Sequence, residues 1–353
     1  MNKKIGLIIH TTSALTDVGP LAEALRVHGF TVVVFANSDP AVKPHYNPFL
    51  HQEFLKEITY DELVWYPSLS ELSKKLESSG VTAVFAEEAI PFHQEPQHFQ
   101  NRSYKIYNLV HSVDNFHPRA VEGKVLDLSF VGFEKYGEYL GWGKETYRAL
   151  GLPKYDIVSR LNREAIIKKY DLPKRFILLL TPNNNLLSVY VVYRMIREIK
   201  KQGYGVVLKG KYPKCHKWIY KYMSEKYFLS DVSFYPFITH ELIVASSGVI
   251  GFDTTAVEEI LMCERPLVNF FVKPYRDKAA REGNFKQFVP MWNAPFCRDL
   301  NIMDYHGLNV FKPLPAFMDH FEKSFDYKKI QEEVFSVPGG ASERIVQWLE
   351  ENP

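Results

Sequence analysis

The segment GFDTTAVEEILMCERPLVNFF, residues 251–271, sets Asp253, Thr254, Thr255, Glu258 and Glu259 between two apolar, core-like runs. The run GVIGF reads as a strand, and a helix is expected from about Thr255. Free backbone N–H groups and two hydroxyls at a helix start suit an anion such as a phosphate. Thr255 and Glu258 also fit a capping box, Thr-x-x-Glu, which accounts for that pair without a ligand. Glu259 is not needed for the cap. One turn into the helix, it stands where a carboxylate could accept hydrogen bonds from the hydroxyls of a ribose, or on a solvated helix face.

Such residues need elements to hold them, and the chain supplies these in alternation. KKIGLIIH reads as a buried strand, TTSALTDVGPLAEALRVHG as loop and amphipathic helix, and FTVVVFA as the next strand. Ser38–Ser70, with Pro40, Pro44, Pro48 and Pro67, reads as loops with one helix. SLSELSKKLESSG then predicts a helix, and VTAVFAEEA, YKIYNLVHS and LDLSFVGF predict strands. A glycine cluster near 141–153 breaks the pattern and marks the expected domain join. Beyond it a second series follows. RFILLLT, YGVVLKG, VSFYPF, GVIGF and PLVNFFV read as strands. SRLNREAIIKKYDL, LLSVYVVYRMIREIKKQG, KCHKWIYKYMSEKYF, THELIVASS, TTAVEEILMCE and ASERIVQWLEE read as helices. Strand–helix alternation of this kind predicts parallel sheets covered by helices, with ligands outside the carboxyl ends of the strands.

Composition narrows the classes. A net charge of +2 gives no field for nucleic acid. Three scattered cysteines, Cys215, Cys263 and Cys297, form neither a disulfide framework nor a metal spacing. No apolar run is long enough to span a membrane, and Ile5–Ile9 is too short for a signal peptide, so a cytoplasmic protein is expected. The basic, aromatic stretch KWIYKYMSEKYF suits either a core-facing helix or contact with the inner face of a membrane.

SSGVIGFDTTAVEEILMCERPLVNFFV resembles the donor-site segment of GT-B-fold transferases, and in particular the CDP-glycerol glycerophosphotransferase group. That group reads Asp-Tyr-Ser-Ser, a glutamate, then a Gly-Lys-Pro turn. Thr254 and Thr255 fall on the serine pair, Glu259 on the glutamate, and Glu264-Arg265-Pro266 on the turn; Phe252-Asp253 replaces Asp-Tyr. The resemblance implies that the hydroxyls hold a donor phosphate and the glutamate a ribose. GLPKYDIVSRLNREAIIKKYDLPKRFILLLTPNN resembles the start of that group's second domain, which points to Thr181, Asn183 and Asn184 as a polar loop at a strand end. KIYNLVHSVDNF is similar to the strand whose histidine is the group's proposed base, and His111 falls on it, with Ser112 in place of glycine. Where the group has a strand and then His-Pro, this chain has Lys209-Gly210-Lys211, whose two cations could neutralise a diphosphate. The loop after the first strand, with His10, Thr11, Thr12 and Ser13, borders the cleft in GT-B proteins; a turn and helix cap explain it equally well.

The expectation is therefore an α/β protein of two Rossmann-like doubly wound domains facing a cleft, an acceptor-side domain over 1–145 and a nucleotide-donor domain over 146–353, with the last helix packing back on the first. The expected activity moves a sugar, or glycerol phosphate, from a nucleotide-activated donor to a hydroxyl of a surface-glycan or lipid-linked acceptor. His111 would be the base. Thr254, Thr255, Glu259, Thr181, Asn183, Lys209 and Lys211 would hold the donor, and His10, Thr11 and Thr12 would line the acceptor side. No metal and no cofactor beyond the donor is expected. Two alternatives are a UDP-sugar 2-epimerase of the same architecture, for which Glu87, Glu88 and Arg276 supply charged groups, and a two-lobed ligand-binding protein without catalysis.

Overall fold

Buried runs of branched residues dictate the first sheet. In the computed structural model, which describes residues 3–110, 125–134, 137, 142–181, 189–210, 221–229, 238–252, 256–272, 302–305, 317–322 and 339–352, seven strands pair in parallel. They are β1 (Lys4–Ile9), β2 (Thr31–Asn37), β3 (Glu62–Tyr66), β4 (Ala83–Glu87), β5 (Lys105–Leu109), β6 (Leu128–Val131) and β7 (Tyr147–Ala149), in the spatial order β3-β2-β1-β4-β5-β6-β7. Strands buried on both faces read as continuous apolar runs, and every residue from Ile5 to Ile9 and from Val32 to Asn37 is buried. A side chain at Gly6 would meet Val84 Cγ1 at 2.7 Å, so the packing of Val84 and Phe35 over β1 depends on a glycine here.

Among the described residues, helices α1 (Leu15–Val27), α2 (Gln52–Leu55), α3 (Leu69–Ser79) and α4 (Ile90–Gln94) accompany these strands. Capping sets α3: the Ser68 hydroxyl accepts the Glu71 N–H at 3.3 Å, and Gly80 closes the helix in the left-handed region. Its Leu69, Leu72 and Leu76 recur at helical spacing and are buried against Val33, Phe35, Val84 and Ile106. Helix α1 starts at Leu15, within the stretch expected to hold loop and helix, and runs through Pro20. The proline lies near the helix start and removes a single N–H, while Leu15, Val18, Leu21 and Leu25 are all buried. The stretch Ser38–Ser70 holds a strand, β3, in addition to the expected loops and helix.

The second sheet repeats the plan. Strands β8 (Phe176–Leu180), β9 (Gly205–Gly210), β10 (Lys226–Leu229), β11 (Gly248–Phe252), β12 (Leu267–Val272) and β13 (Ile302–Tyr305) are parallel, in the order β10-β9-β8-β11-β12-β13. Helices α5 (Arg163–Tyr170), α6 (Val189–Lys201), α7 (Ile238–Ala245) and α8 (Ala256–Met262) accompany them. Val191, Val192, Met195, Ile196 and Ile199 of α6 pack on Ile177, Leu179, Val206 and Leu208. Burial of each such side chain stabilises by about 1.5–3 kcal/mol before entropy is counted. Lys226–Leu229 forms an edge strand on β9, although the sequence reads as helix through Phe228.

Met1–Ser159 and Val334–Pro353, with Phe234–Pro236, form one unit, and Arg160–Ser233 with Phe237–Glu333 forms the other. The division thus falls at Ser159/Arg160, beyond the glycine cluster. Tyr147–Ala149 pairs with β6, and the turn at Pro153–Tyr155 leads to a clamp on the C-terminal helix, Ala341–Glu351. Asp156 accepts the N–H groups of Ala341 at 2.8 Å and Ser342 at 2.7 Å, and Arg344 Nε donates to the Leu150 carbonyl at 2.9 Å. Trp348 meets the rings of Tyr107 and Phe130 edge-on. At the surface, His28 at the end of α1 bonds Glu343 at 2.8 Å and Glu350 at 3.1 Å.

Asp156→Ala leaves two helix N–H groups without their buried acceptor and should cost roughly 2 kcal/mol. Urea unfolding measures it, and an unchanged midpoint would refute the clamp. Hydrogen bonds to Glu343 and then Glu350 hold the His28 imidazolium above its ordinary value near 6.5. Its contribution is therefore complete below that unfolded-state value and fades as pH rises through the higher folded-state one. The stability gap between the wild type and His28→Gln should be widest in mild acid and close on the alkaline side.

Candidate functional site

In each sheet the strand order reverses beside the first strand of the unit, between β1 and β4 and between β8 and β11. Polar residues cluster outside the carboxyl ends of these strands, where open α/β sheets bind ligands. In the first unit β1 runs into His10, Thr11 and Ser13, and β4 runs into Glu87 and Glu88. Ser13 Oγ donates to Glu87 Oε2 at 3.0 Å. Thr11 Oγ1 lies 2.6 Å from Ser13 Oγ; with the serine proton committed to Glu87, the threonine is the donor of that pair. Both glutamates are buried. Glu88 and Ala89 hold φ of 51° and 49°, consecutive non-glycine residues in the left-handed region. Such residues cost about 1–3 kcal/mol each and cluster at functional sites. The Glu88 N–H, which donates to Leu109 at 2.8 Å, helps to hold this turn.

His10 is fixed in one tautomer. Asn37 Oδ1 accepts the Asp39 N–H at 2.8 Å, and Asn37 Nδ2 donates to the His10 carbonyl at 3.3 Å, so the amide cannot be turned over. Its NH2 therefore faces His10 Nδ1 at 3.2 Å, and the Tyr66 hydroxyl faces the same nitrogen at 3.1 Å. Burial raises the Tyr66 phenol well above its usual value, so it remains a donor. Nδ1 meets two donors and carries no proton; Nε2 carries it. Burial also lowers the His10 pKa to about 4, against a smaller opposing effect of Asp39. At neutral pH His10 is an uncharged donor through Nε2, which has no hydrogen-bond partner among the described residues. It can hold an oxygen atom but is a poor base.

Asn37 and Tyr66 are additions to the sequence-based set. Each is the last residue of its strand, and that position was the available signal. Thr12 is 2 % exposed and offers little surface to a ligand, whereas Thr11 is half-buried.

In the second unit Thr181 follows β8. Its N–H and hydroxyl both donate to the Lys209 carbonyl, at 2.8 and 3.2 Å. Gly210 is packed so that a side chain would meet Thr181 Oγ1 and Tyr227 Oη at 3.0 Å. Val206 and Leu208 enter the core under α6, so strand alternation aims the Lys209 side chain at the opposite face. On α8 Glu258 is buried and Glu259 half-buried. The turn after α8 places Glu264 at φ 53°, the kind of backbone that favours glycine. Arg265 Nε and Nη2 anchor this turn to the Val244 carbonyl at 3.1 and 2.9 Å. Burial raises the Cys263 thiol far above its usual value, which keeps it protonated and unreactive. His111, Asn183, Lys211, Thr254 and Thr255, with Arg276, lie outside the described residues. Among the described residues no group of three or more His, Cys, Asp or Glu side chains is arranged to hold a metal.

The histidine assignment is testable directly. Nitrogen-resolved NMR of the imidazoles should show His10 neutral and protonated at Nε2 from pH 8 down to about 5, because its pKa lies near 4. A His10 imidazolium at pH 6 would overturn it.

No protein-family model and no curated protein matches the sequence. Solved structures do. A Listeria monocytogenes protein assigned as a UDP-N-acetylglucosamine 2-epimerase aligns over 100% of this chain and 97% of its own, with TM-score 0.65 and 14% identity. The wall teichoic acid polymerase TagF aligns over 99% of this chain and 89% of its own, with TM-score 0.59 and 11% identity. The UDP-GlcNAc 2-epimerase of Methanocaldococcus jannaschii, in complex with UDP-GlcNAc and UDP, aligns over 99% of both chains, with TM-score 0.53 and 12% identity. Identities this low speak for architecture alone: with two Rossmann-like parallel α/β domains in series, the chain has the GT-B fold.

Proposed function

We propose that the protein is a nucleotide-sugar enzyme that transfers a glycosyl group to an acceptor hydroxyl. The observation that carries this reading is the doubled strand order, with polar side chains gathered at the carboxyl ends of β1 and β4 in one unit and with Thr181 and Lys209 at those of β8 and β9 in the other. The second unit would take the nucleotide. Thr254 and Thr255, between β11 and α8, would hold the diphosphate, Glu259 the ribose, and Thr181 and Asn183 would line the strand ends. Lys209 and Lys211 would offset the charge that develops on the leaving diphosphate. The first unit would take the acceptor. Its hydroxyl oxygen attacks the anomeric carbon as the bond from that carbon to the diphosphate breaks, the nucleoside diphosphate leaves, and the hydroxyl proton passes to a base. Neutral His10 suits the role of oxygen-holding donor, which leaves the base to His111. Bound UDP in the Methanocaldococcus jannaschii epimerase supports a nucleoside diphosphate as the recognised moiety. TagF is a polymerase of wall teichoic acid, which supports a surface-glycan acceptor.

A second reading, epimerisation of the sugar on its nucleotide, is favoured by Glu87 and Glu88. Two buried carboxylates at a strained turn could move a proton on the sugar itself with no acceptor present.

One set of experiments tests both. Calorimetric titration with CDP, UDP, GDP and ADP, without metal, should show tight binding of one of them, weakened at least about tenfold by Thr255→Ala with Glu259→Ala. Absence of binding by all four would remove the nucleotide-sugar reading. Incubation with UDP-N-acetylglucosamine alone, followed by NMR, separates the reactions: a second nucleotide-linked sugar without acceptor establishes epimerisation and excludes the transferase assignment.

A further inference from the structure

Helix α6 buries one face and leaves the other uncovered by any described element. Along the outer stripe Tyr190, Tyr193, Arg194, Arg197 and Lys201 follow at helical spacing. Tyr190 is 52 % and Tyr193 46 % exposed, and Tyr222, next to the Met223 that packs under α6, is 83 % exposed. Among the described side chains, every other Phe, Tyr or Trp except Phe49 is buried or half-buried. Around them Arg194, Arg197, Lys200, Lys201 and Lys221 outnumber the acids Glu198 and Glu225. Glu198 pairs with Lys201 at 3.1 Å and Glu225 with Lys200 at 2.9 Å, and Arg194 lies over the Tyr190 ring at 5.9 Å. With a net charge of only +2 for the whole chain, this face is a local concentration of positive charge.

We propose that this face of α6 docks on an anionic lipid bilayer. It is the outer face of a helix and carries rings at one end and long flexible cations at the other. A glycan or peptide would need a groove, whereas a membrane presents a plane. Tyrosine settles at the depth of lipid headgroups, with its ring among the acyl carbons and its hydroxyl in water. Arginine and lysine reach anionic headgroups while their stems cover apolar surface. Each basic residue near such a surface raises partition roughly fivefold. Among the described residues no helix is long and apolar enough to cross a membrane, so the contact is peripheral. Because α6 follows β8, its tyrosine-bearing start lies toward the carboxyl edge of the second sheet, the edge that holds Thr181. Docking would keep that edge beside lipid-borne substrates, but the docking itself does not depend on the reaction proposed above.

Sedimentation of the full-length protein with vesicles tests the idea. The protein should bind vesicles of phosphatidylcholine mixed with phosphatidylglycerol, fail to bind phosphatidylcholine alone, and release in high salt, where screening collapses the attraction. Arg194→Glu with Arg197→Glu should weaken binding by about tenfold or more. Tyr190→Ser with Tyr193→Ser should weaken it while keeping the salt dependence. Both double variants should keep the wild-type unfolding midpoint and nucleotide affinity. Wild-type protein that ignores phosphatidylglycerol vesicles would overturn the proposal, as would variants that bind like wild type. So would a dimer in ultracentrifugation that these substitutions dissociate, since a second copy would then cover the face.

Discussion

Parallel pairing obliges each strand to be followed by a crossover before the next can lie beside it, so in both sheets every carboxyl end falls on the same edge. The faces must be apolar because helices cover them. Polar chemistry is thereby confined to the loops at one edge. His10, Asn37, Tyr66, Glu87 and Glu88 come from four strands separated in sequence, and the fold brings them to one edge of the first sheet. Thr181, Lys209 and Glu259 owe their positions in the second sheet to the same rule.

Burial then decides what these groups can do. An asparagine whose amide is locked by two backbone groups, and a tyrosine too buried to ionise, together leave His10 a single protonation state. The imidazole gives up its usual role as a proton acceptor and gains that of a fixed donor. At the end of β4 two carboxylates sit at a strained turn, Glu88 and Ala89, held by the Glu88 N–H bond to Leu109 and by Glu87, which is tied to Ser13 and through it to Thr11. Pre-organisation of this kind is stabilised elsewhere, by cores such as that under α3 and by the Asp156 clamp on the C-terminal helix.

Apolar runs were legible: β1, β2, β4, β8, β11 and β12 stand where runs dominated by Val, Ile, Leu and Phe put them, and β5 where Ile106, Tyr107 and Leu109 do. The short edge strands were not. Glu62–Tyr66, Tyr147–Ala149 and Lys226–Leu229 carry polar or aromatic residues that suit a loop or helix as well, and only a neighbouring strand with unpaired N–H and C=O groups makes them strands. Helix α1 likewise runs across Gly19-Pro20 because its burial against the sheet outweighs one missing hydrogen bond.

The sequence by itself determined the class of architecture, through the period of its hydrophobic runs, and it placed hydroxyls, carboxylates and lysines directly after strands, where parallel sheets use them. Local pattern is enough for that, because alternation and capping act over a few residues. Only the tertiary structure decided that Asn37 and Tyr66 belong with His10, that His10 is neutral, and that Asp156 holds a helix starting at Ala341. These depend on distances between residues far apart in sequence and on the loss of water around them, and neither quantity is written in the local order of side chains.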